Sequence, residues 1–217
     1  MNILIAEDQE FVHESLQTAF NSAFENDQHT FIKCLNCKKV YDLVEEQIFE
    51  GNIIHYALLD ICMPSYEEKQ LFSGKEVALH IKYLMPHCKI IMMTASMDTI
   101  TIIDIIHGVS PDGFLYKSDF DVDGLARIIK EISKGTIFRS ESIAIQYEKV
   151  VENSFLLESI NRKILKLIDM GFKIKDIRQE LNLTEATINK RIAKMKVALK
   201  IDNSVGLLRE AKRRGYL

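Results

Sequence analysis

"YALLDICMP", residues 56–64, runs apolar for four positions, reaches an acid at Asp60 and closes on Met63-Pro64. An unbroken apolar run of this length, without polar alternation, reads as a strand covered on both faces. A carboxylate at the end of such a strand is costly unless something neutralises it. The same pattern recurs on either side. Upstream lie "NILIAED" (2–8), the helical spacing of "FVHESLQTAFNSAF" (11–24), "TFIKCL" and the amphipathic "KKVYDLVEEQIF". Downstream come "GKEVALHIKYL", "KIIMMTA", "DTITIIDIIHG", "GFLYKS" and "VDGLARIIKEISKG". Short strands alternate with longer helices five times, which predicts a parallel sheet with helices on both faces. Ser73-Gly-Lys-Glu76 is the signature of a capping box opening the third helix, and Gly135 stands where a helix C-terminal cap belongs.

Ligands of such folds gather beyond the carboxyl ends of the strands. Those ends carry Glu7 and Asp8, Asp60, Thr94 followed by Ala95, and Lys117. Acids packed together raise one another's pKa and call for a cation. An oxygen-rich cluster with room for waters suits Mg²⁺. With Mg²⁺ and Lys117 beside it, Asp60 stays ionised and becomes a candidate phosphoacceptor.

Charge divides the chain unevenly. Residues 1–150 hold 13 Lys+Arg against 23 Asp+Glu, and residues 151–217 hold 15 against 8. An acidic body with a small basic tail suggests a nucleic-acid partner for the tail. The chain has no apolar run long enough to span a membrane, and "MNILIAEDQE" lacks the basic start of a secretory signal. A soluble, cytoplasmic protein with no membrane partner is expected. Cys34 and Cys37 form a lone C-x-x-C and read as buried small hydrophobes. The six histidines are scattered without metal-ligand spacing, so no zinc site is assigned.

The ordered set Glu7-Asp8, Asp60 before Met63-Pro64, Thr94-Ala95 and Lys117 resembles the receiver domain of two-component response regulators, over about residues 2–134. The resemblance implies a flavodoxin-like α/β fold with a five-stranded parallel sheet of order 2-1-3-4-5. It implies phosphorylation of Asp60 by a sensor histidine kinase. Mg²⁺ would be held by Asp8, Asp60 and the backbone carbonyl of Cys62, with Glu7 acting through water. Thr94 would bond a phosphoryl oxygen, Lys117 would pair with the phosphoryl group, and Phe114 occupies the aromatic switch position. Two departures stand out. The family's glycine lies about four residues after the proline, whereas Gly74 lies ten after Pro64, implying an insertion at 65–72 that bears on phosphorylation rates. Residue 118 is Ser where many receivers have Pro.

Residues 135–157 read as a linker containing a short helix. Beyond them strands vanish. "NRKILKLIDMG" is a helix stopped by Gly171, "IKDIRQEL" a second, and the turn "NLT" leads to "EATINKRIAKMKVALK". In that third helix Ile188, Ile192, Met195 and Leu199 form one apolar stripe, with Thr184 as its cap. "NSVGLLREAKRRG" supplies a fourth. Residues 158–217 resemble the LuxR/NarL-type helix-turn-helix domain through Gly171, Lys175-Asp176-Ile177, Leu183-Thr184-Glu185 and Thr187-Ile188. The family has a glutamate early in its first helix, where this chain has Asn161-Arg162-Lys163. Its usual Lys after the Thr-Val pair is Asn189, and its His two residues later is Arg191. Lys175, Thr187, Asn189, Lys190, Arg191 and Lys194 are the expected DNA contacts. Asn189 is suited to adenine, and Lys175 and Lys194 to phosphate.

The expected protein is therefore a phosphorylation-controlled transcriptional regulator and not an enzyme. It would comprise a receiver (1–134), a linker (135–157) and an all-α four-helix output domain (158–217) that binds double-stranded DNA as a homodimer. The alternative is a signalling adaptor whose basic domain binds protein. An aspartyl-phosphate hydrolase of the haloacid-dehalogenase type would need a second acid two residues after Asp60, and that position is Cys62.

Overall fold

The computed structural model describes residues 1–25, 28–151, 154–201 and 203–217. Two compact units emerge: Met1–Met97 with Ile102–Ala144, and Asp98–Thr101 with Ile145–Leu217.

In the first unit, strands β1 (Asn2–Ala6), β2 (Thr30–Cys34), β3 (Tyr56–Asp60), β4 (Lys89–Thr94) and β5 (Gly113–Tyr116) alternate with helices. These are α1 (Glu10–Ala23), α2 (Cys37–Phe49), α3 (Gly74–Leu84), α4 (Thr99–Asp104), of which Ile102–Asp104 belong to this unit and which continues as a π-helical turn over Ile105–Val109, and α5 (Val122–Ser133). All strand pairs are parallel, in the order β2-β1-β3-β4-β5 expected from the resemblance. The apolar runs explain the burial. Ile3 to Ala6, Ala57 to Leu59 and Ile90 to Met92 are all 0% exposed, as strands covered on both faces require. One face packs on α1 and α5 through Leu16, Phe20, Leu125, Ile129 and Ile132.

The sheet differs from expectation at one edge. Phe138–Arg139 adds a sixth parallel strand, β6, with Gly113 opposite Phe138 and Phe114 opposite Arg139. The cause is local. After α5 the chain turns at Gly135, whose φ of +92° only glycine adopts without strain, and returns along β5. There it pairs the edge that β5 would otherwise present to water. The linker helix α6 (Glu141–Val151) follows directly.

The second unit contains α7 (Ser154–Leu157), α8 (Ser159–Asp169), α9 (Ile174–Leu181), α10 (Glu185–Leu199) and α11 (Ser204–Arg213). Four of these match the sequence expectation, and the short α7 precedes them. Ile164, Leu165, Ile177, Ile188, Met195 and Leu207 form the core. The stripe on α10 is buried at Ile188, Met195 and Leu199, and partly buried at Ile192. The Thr184 hydroxyl accepts from the Thr187 amide at 3.1 Å, capping α10, and Asn182 adopts the left-handed conformation (φ 50°) that ends α9.

Candidate functional site

Parallel strands deliver their carboxyl ends to one edge of the sheet, and the chemistry of the first unit collects there. Glu7 and Asp60 are buried, at 0% and 4% exposure, while Asp8 is exposed. Carboxylate oxygens of the three lie within 4.8 Å of one another. Lys117 Nζ bridges two of them, at 2.7 Å from Glu7 Oε2 and 3.0 Å from Asp60 Oδ1. The Cys62 amide donates to Asp60 Oδ2 at 3.2 Å.

Burial raises the pKa of Glu7, and the neighbouring Asp60 and Asp8 charges add to it against the pull of Lys117. Asp60 is raised the same way, by burial first and then by Asp8. Burial works against the Lys117 ammonium, but its bonds to Glu7 and Asp60 outweigh it and hold the pKa above the ordinary lysine value. Three acids thus face one ammonium, and Glu7 Oε1 is buried without a hydrogen-bond partner among the described residues. An all-oxygen donor set with surplus negative charge fits a small hard divalent cation such as Mg²⁺.

The other expected members lie close by, in different arrangements. Thr94 is buried, and its hydroxyl is closed onto Ser96, accepting from the amide at 2.9 Å and donating to the carbonyl at 3.1 Å. Its own carbonyl accepts the Lys117 amide at 2.8 Å, which ties the ends of β4 and β5 together. Phe114 is 1% exposed, so its ring is already inside.

The insertion folds back on itself. Tyr66 and Leu71 pair as an antiparallel bridge around a 3₁₀ turn at Glu67–Lys69. The Tyr66 ring lies edge-on to Tyr41 with the Lys38 ammonium 4.7 Å above it. Closing the insertion returns Gly74 to the end of β3, where its amide donates to the Ile61 carbonyl at 2.9 Å. A Cβ at Gly74 would stand 2.0 Å from the Asp60 carbonyl oxygen. Neither backbone can yield as a side-chain tip does, so Gly74→Ala is expected to cost about 3 kcal/mol or more. It should also displace Asp60 from the Lys117 ammonium. Equilibrium denaturation checks the first effect, and a loss below about 1 kcal/mol would contradict the packing described.

Sequence reasoning passed over His13. It is 1% exposed on the core face of α1, and its Nε2 lies 2.9 Å from the Glu7 carbonyl oxygen, so the ring anchors the strand end that carries the acids. The available signal was a polar residue in line with Leu16, Ala19 and Phe20. Cys34 and Cys37 are buried free thiols, both pushed up to about 11 by burial, as fits small hydrophobes.

In the second unit Asn189, Lys190 and Lys194 are exposed on α10, as are Ala186, Ala193 and Val197. Thr187 is half-buried, with its hydroxyl 2.8 Å from that of Thr184, and Lys175 is exposed on α9. Arg191 is arranged differently. Its Nη1 donates to Glu158 Oε2 at 2.6 Å and to Asn161 Oδ1 at 3.1 Å, beneath the Phe155 ring. Asn161 is 0% exposed and donates from Nδ2 to the Phe155 carbonyl at 2.6 Å. Arg191, one of the departures noted in sequence, therefore meets Asn161, the first residue of the stretch that stands where the family has its glutamate. Together with Glu158 they pin α10 to the start of α8.

No family model matches the chain. The transcriptional regulatory protein MctR of Rhizobium johnstonii is 28% identical over 158 residues, covering 71% of this chain and 69% of that protein. Among solved structures, one of the Salmonella typhimurium RcsB response regulator superposes with a TM-score of 0.70 at 19% identity, covering 98% of this chain and 99% of that one. A complex of the two-component response regulator RcsB with DNA gives 0.62 at 21% identity, with 98% of each chain covered. RcsB of Salmonella enterica serovar Typhimurium bound to promoter rprA in the presence of the phosphomimetic BeF3- gives 0.64 at 20%, with 97% of each covered. At these identities the likeness is one of fold, extending over both units.

Proposed function

We propose that the chain is a two-component response regulator of the NarL/LuxR type. In this reading Asp60 accepts a phosphoryl group from a sensor histidine kinase, and residues 158–217 bind double-stranded DNA as a homodimer. The observation that carries the reading is the Lys117 ammonium spanning Glu7 and Asp60 within 3.0 Å, with Asp8 at the same strand ends. A structural ion pair needs one acid and one base. Three clustered acids, two of them bonded to one lysine, with a buried oxygen left over, is an arrangement built for a further cation and an incoming anion. The transcriptional regulatory name of MctR and the DNA-bound state of two of the RcsB structures support the output half.

An Asp60 carboxylate oxygen forms the new O–P bond as the donor's P–N bond breaks, and that electron pair goes to the donor imidazole. Lys117 holds Asp60 in place and meets the charge of the arriving phosphoryl oxygens. Asp8, Asp60 and the Cys62 carbonyl would hold Mg²⁺, with Glu7 acting through water, and the ion supplies charge neutralisation. The negative charge left at Asp60 shifts a two-state equilibrium through Thr94 and Phe114, favouring the arrangement in which the Phe114 ring is inside. The Thr94 hydroxyl must leave Ser96 to take part.

Two measurements on the wild type test this reading: Mg²⁺-dependent phosphoryl incorporation from acetyl phosphate, and salt-dependent retention of duplex DNA. Absence of the first removes the receiver assignment. Absence of the second leaves the adaptor reading. The ligand set has its own test by titration calorimetry. Asp8→Ala is expected to weaken Mg²⁺ about tenfold or more, and Glu7→Ala less, because a direct ligand contributes more than one acting through water. Equal affinities in the wild type and both variants would overturn it.

A further inference from the structure

Ser140 is 3% exposed although it lies between α5 and α6, in a segment expected to be a linker. Its amide donates to the Phe114 carbonyl at 3.0 Å, and its hydroxyl oxygen accepts from the Tyr116 amide at 2.9 Å. One residue thus brackets the last turn of β5 from the edge. Two residues further on, Ser142 donates from its amide and its hydroxyl to the two carboxylate oxygens of Asp119, at 2.9 and 2.6 Å. Asp119 is itself held by its amide to the Tyr116 carbonyl at 3.0 Å. A helix begins with amides that have no partner within it, and for α6 the partner comes from another element. The Ser140 carbonyl then accepts the Ala144 amide at 2.9 Å, and the helix is under way.

Lys117 sits inside this bracket. Between Phe114 and Asp119, one short segment carries the ammonium that reaches Glu7 and Asp60 and both anchors of the start of α6. We propose that the clamp of Ser140 and Ser142 on Tyr116 and Asp119 couples the Asp60 site to α6, so that the helix start is the lever through which phosphorylation acts. This rests on the function proposed above. A phosphoryl group at Asp60 adds acceptors for Lys117, which must redistribute bonds now made to Glu7 and Asp60. The backbone it moves is the backbone that holds Ser140 and Ser142. From there α6 runs to Val151 without a break, leaving the first unit at Ala144. Coupling through hydrogen bonds needs an element with two arrangements, and a helix start capped from outside supplies one.

The test is amide hydrogen exchange across Ser142–Ala144 in the full chain, with and without acetyl phosphate and Mg²⁺, on the wild type, Asp119→Ala and Asp119→Asn. In the wild type, phosphorylation is expected to change exchange there several-fold. Asp119→Ala should take up phosphoryl at the wild-type rate, exchange about tenfold faster at these amides in both states, and lose the phosphorylation-dependent difference. Asp119→Asn keeps one acceptor oxygen and should retain most of that difference. Ser140→Ala, which removes only the hydroxyl bond to Tyr116, should reduce it by about half. A difference of wild-type size in Asp119→Ala overturns the inference, as does a phosphorylated wild type with no change at these amides. Failure of the wild type to take up phosphoryl at all is the separate result that removes the parent reading.

Discussion

Asp60→Asn is expected to reduce phosphoryl incorporation from acetyl phosphate to background while leaving the fold intact. The substitution is nearly isosteric, and the side-chain oxygen can still accept the Cys62 amide now 3.2 Å away. The nucleophilic, anionic oxygen is lost, and neither other acid of the cluster stands in its position. Glu7 is buried and engaged with Lys117, and Asp8 is exposed. Removing a buried charge also relieves the acids of one another. Stability at neutral pH without Mg²⁺ is therefore expected to hold or rise by about 1 kcal/mol, since Lys117 keeps Glu7 as its partner.

The sign of the pH dependence follows from the same site. Burial and like charge raise the Glu7 and Asp60 carboxyls, so the folded protein binds protons there more tightly than the unfolded chain. Their contribution to stability is present below the ordinary carboxylate values and is lost as pH rises through the raised ones. Asp60→Asn should flatten that loss, and Mg²⁺ should oppose it in the wild type. Uptake of phosphoryl by Asp60→Asn at the wild-type rate would remove Asp60 from the mechanism.

The acidic site was legible because a parallel sheet turns order along the chain into position in space. Glu7, Asp60, Thr94 and Lys117 each follow an unbroken apolar run, and every such run ends at the same edge. The helices of the second unit were legible for a similar reason. Thr184, Gly171 and the stripe from Ile188 to Leu199 are local signals, read within a turn or two of the backbone. What escaped depends on contacts between distant segments. β6 is two residues long, too short to carry a period, and forms only because the chain beyond Gly135 returns along an open edge. Asp119 and Ser142 lie 23 residues apart, and neither marks the other in sequence. The spacing of Gly74 looked like a departure, but the bridge between Tyr66 and Leu71 shortens the path and returns the glycine to Asp60. Arg191 was read as a DNA contact from its helix alone. Its ion pair with Glu158, 33 residues earlier, adds a role in holding α10 that its own helix does not show.

Asn189→Ala is expected to cost about 1–3 kcal/mol on the preferred duplex and little on random DNA, which separates readout from anchoring in the second unit. Asn189 is exposed near the capped start of α10, where recognition-helix side chains reach base edges, and an amide can meet adenine with a donor and an acceptor at once. Lys190 and Lys194 are exposed on the same helix, so their charge is available to phosphate or base. Lys175 lies on α9, before the turn, and Lys175→Ala should weaken every duplex about equally and lower the salt slope by about 1. Arg191→Ala should act through the fold instead. It frees the buried Asn161 and the carboxylate of Glu158 from their partner, so unit stability falls together with affinity on both duplexes. Binding to both duplexes at two or more salt concentrations, with thermal denaturation of each variant, distinguishes the three behaviours. Equal losses for Asn189→Ala on both duplexes would mean that a different face of α10 enters the groove. An Arg191→Ala protein of unchanged stability that loses only the preferred site would return the guanidinium to the bases and leave α10 held by its apolar stripe alone.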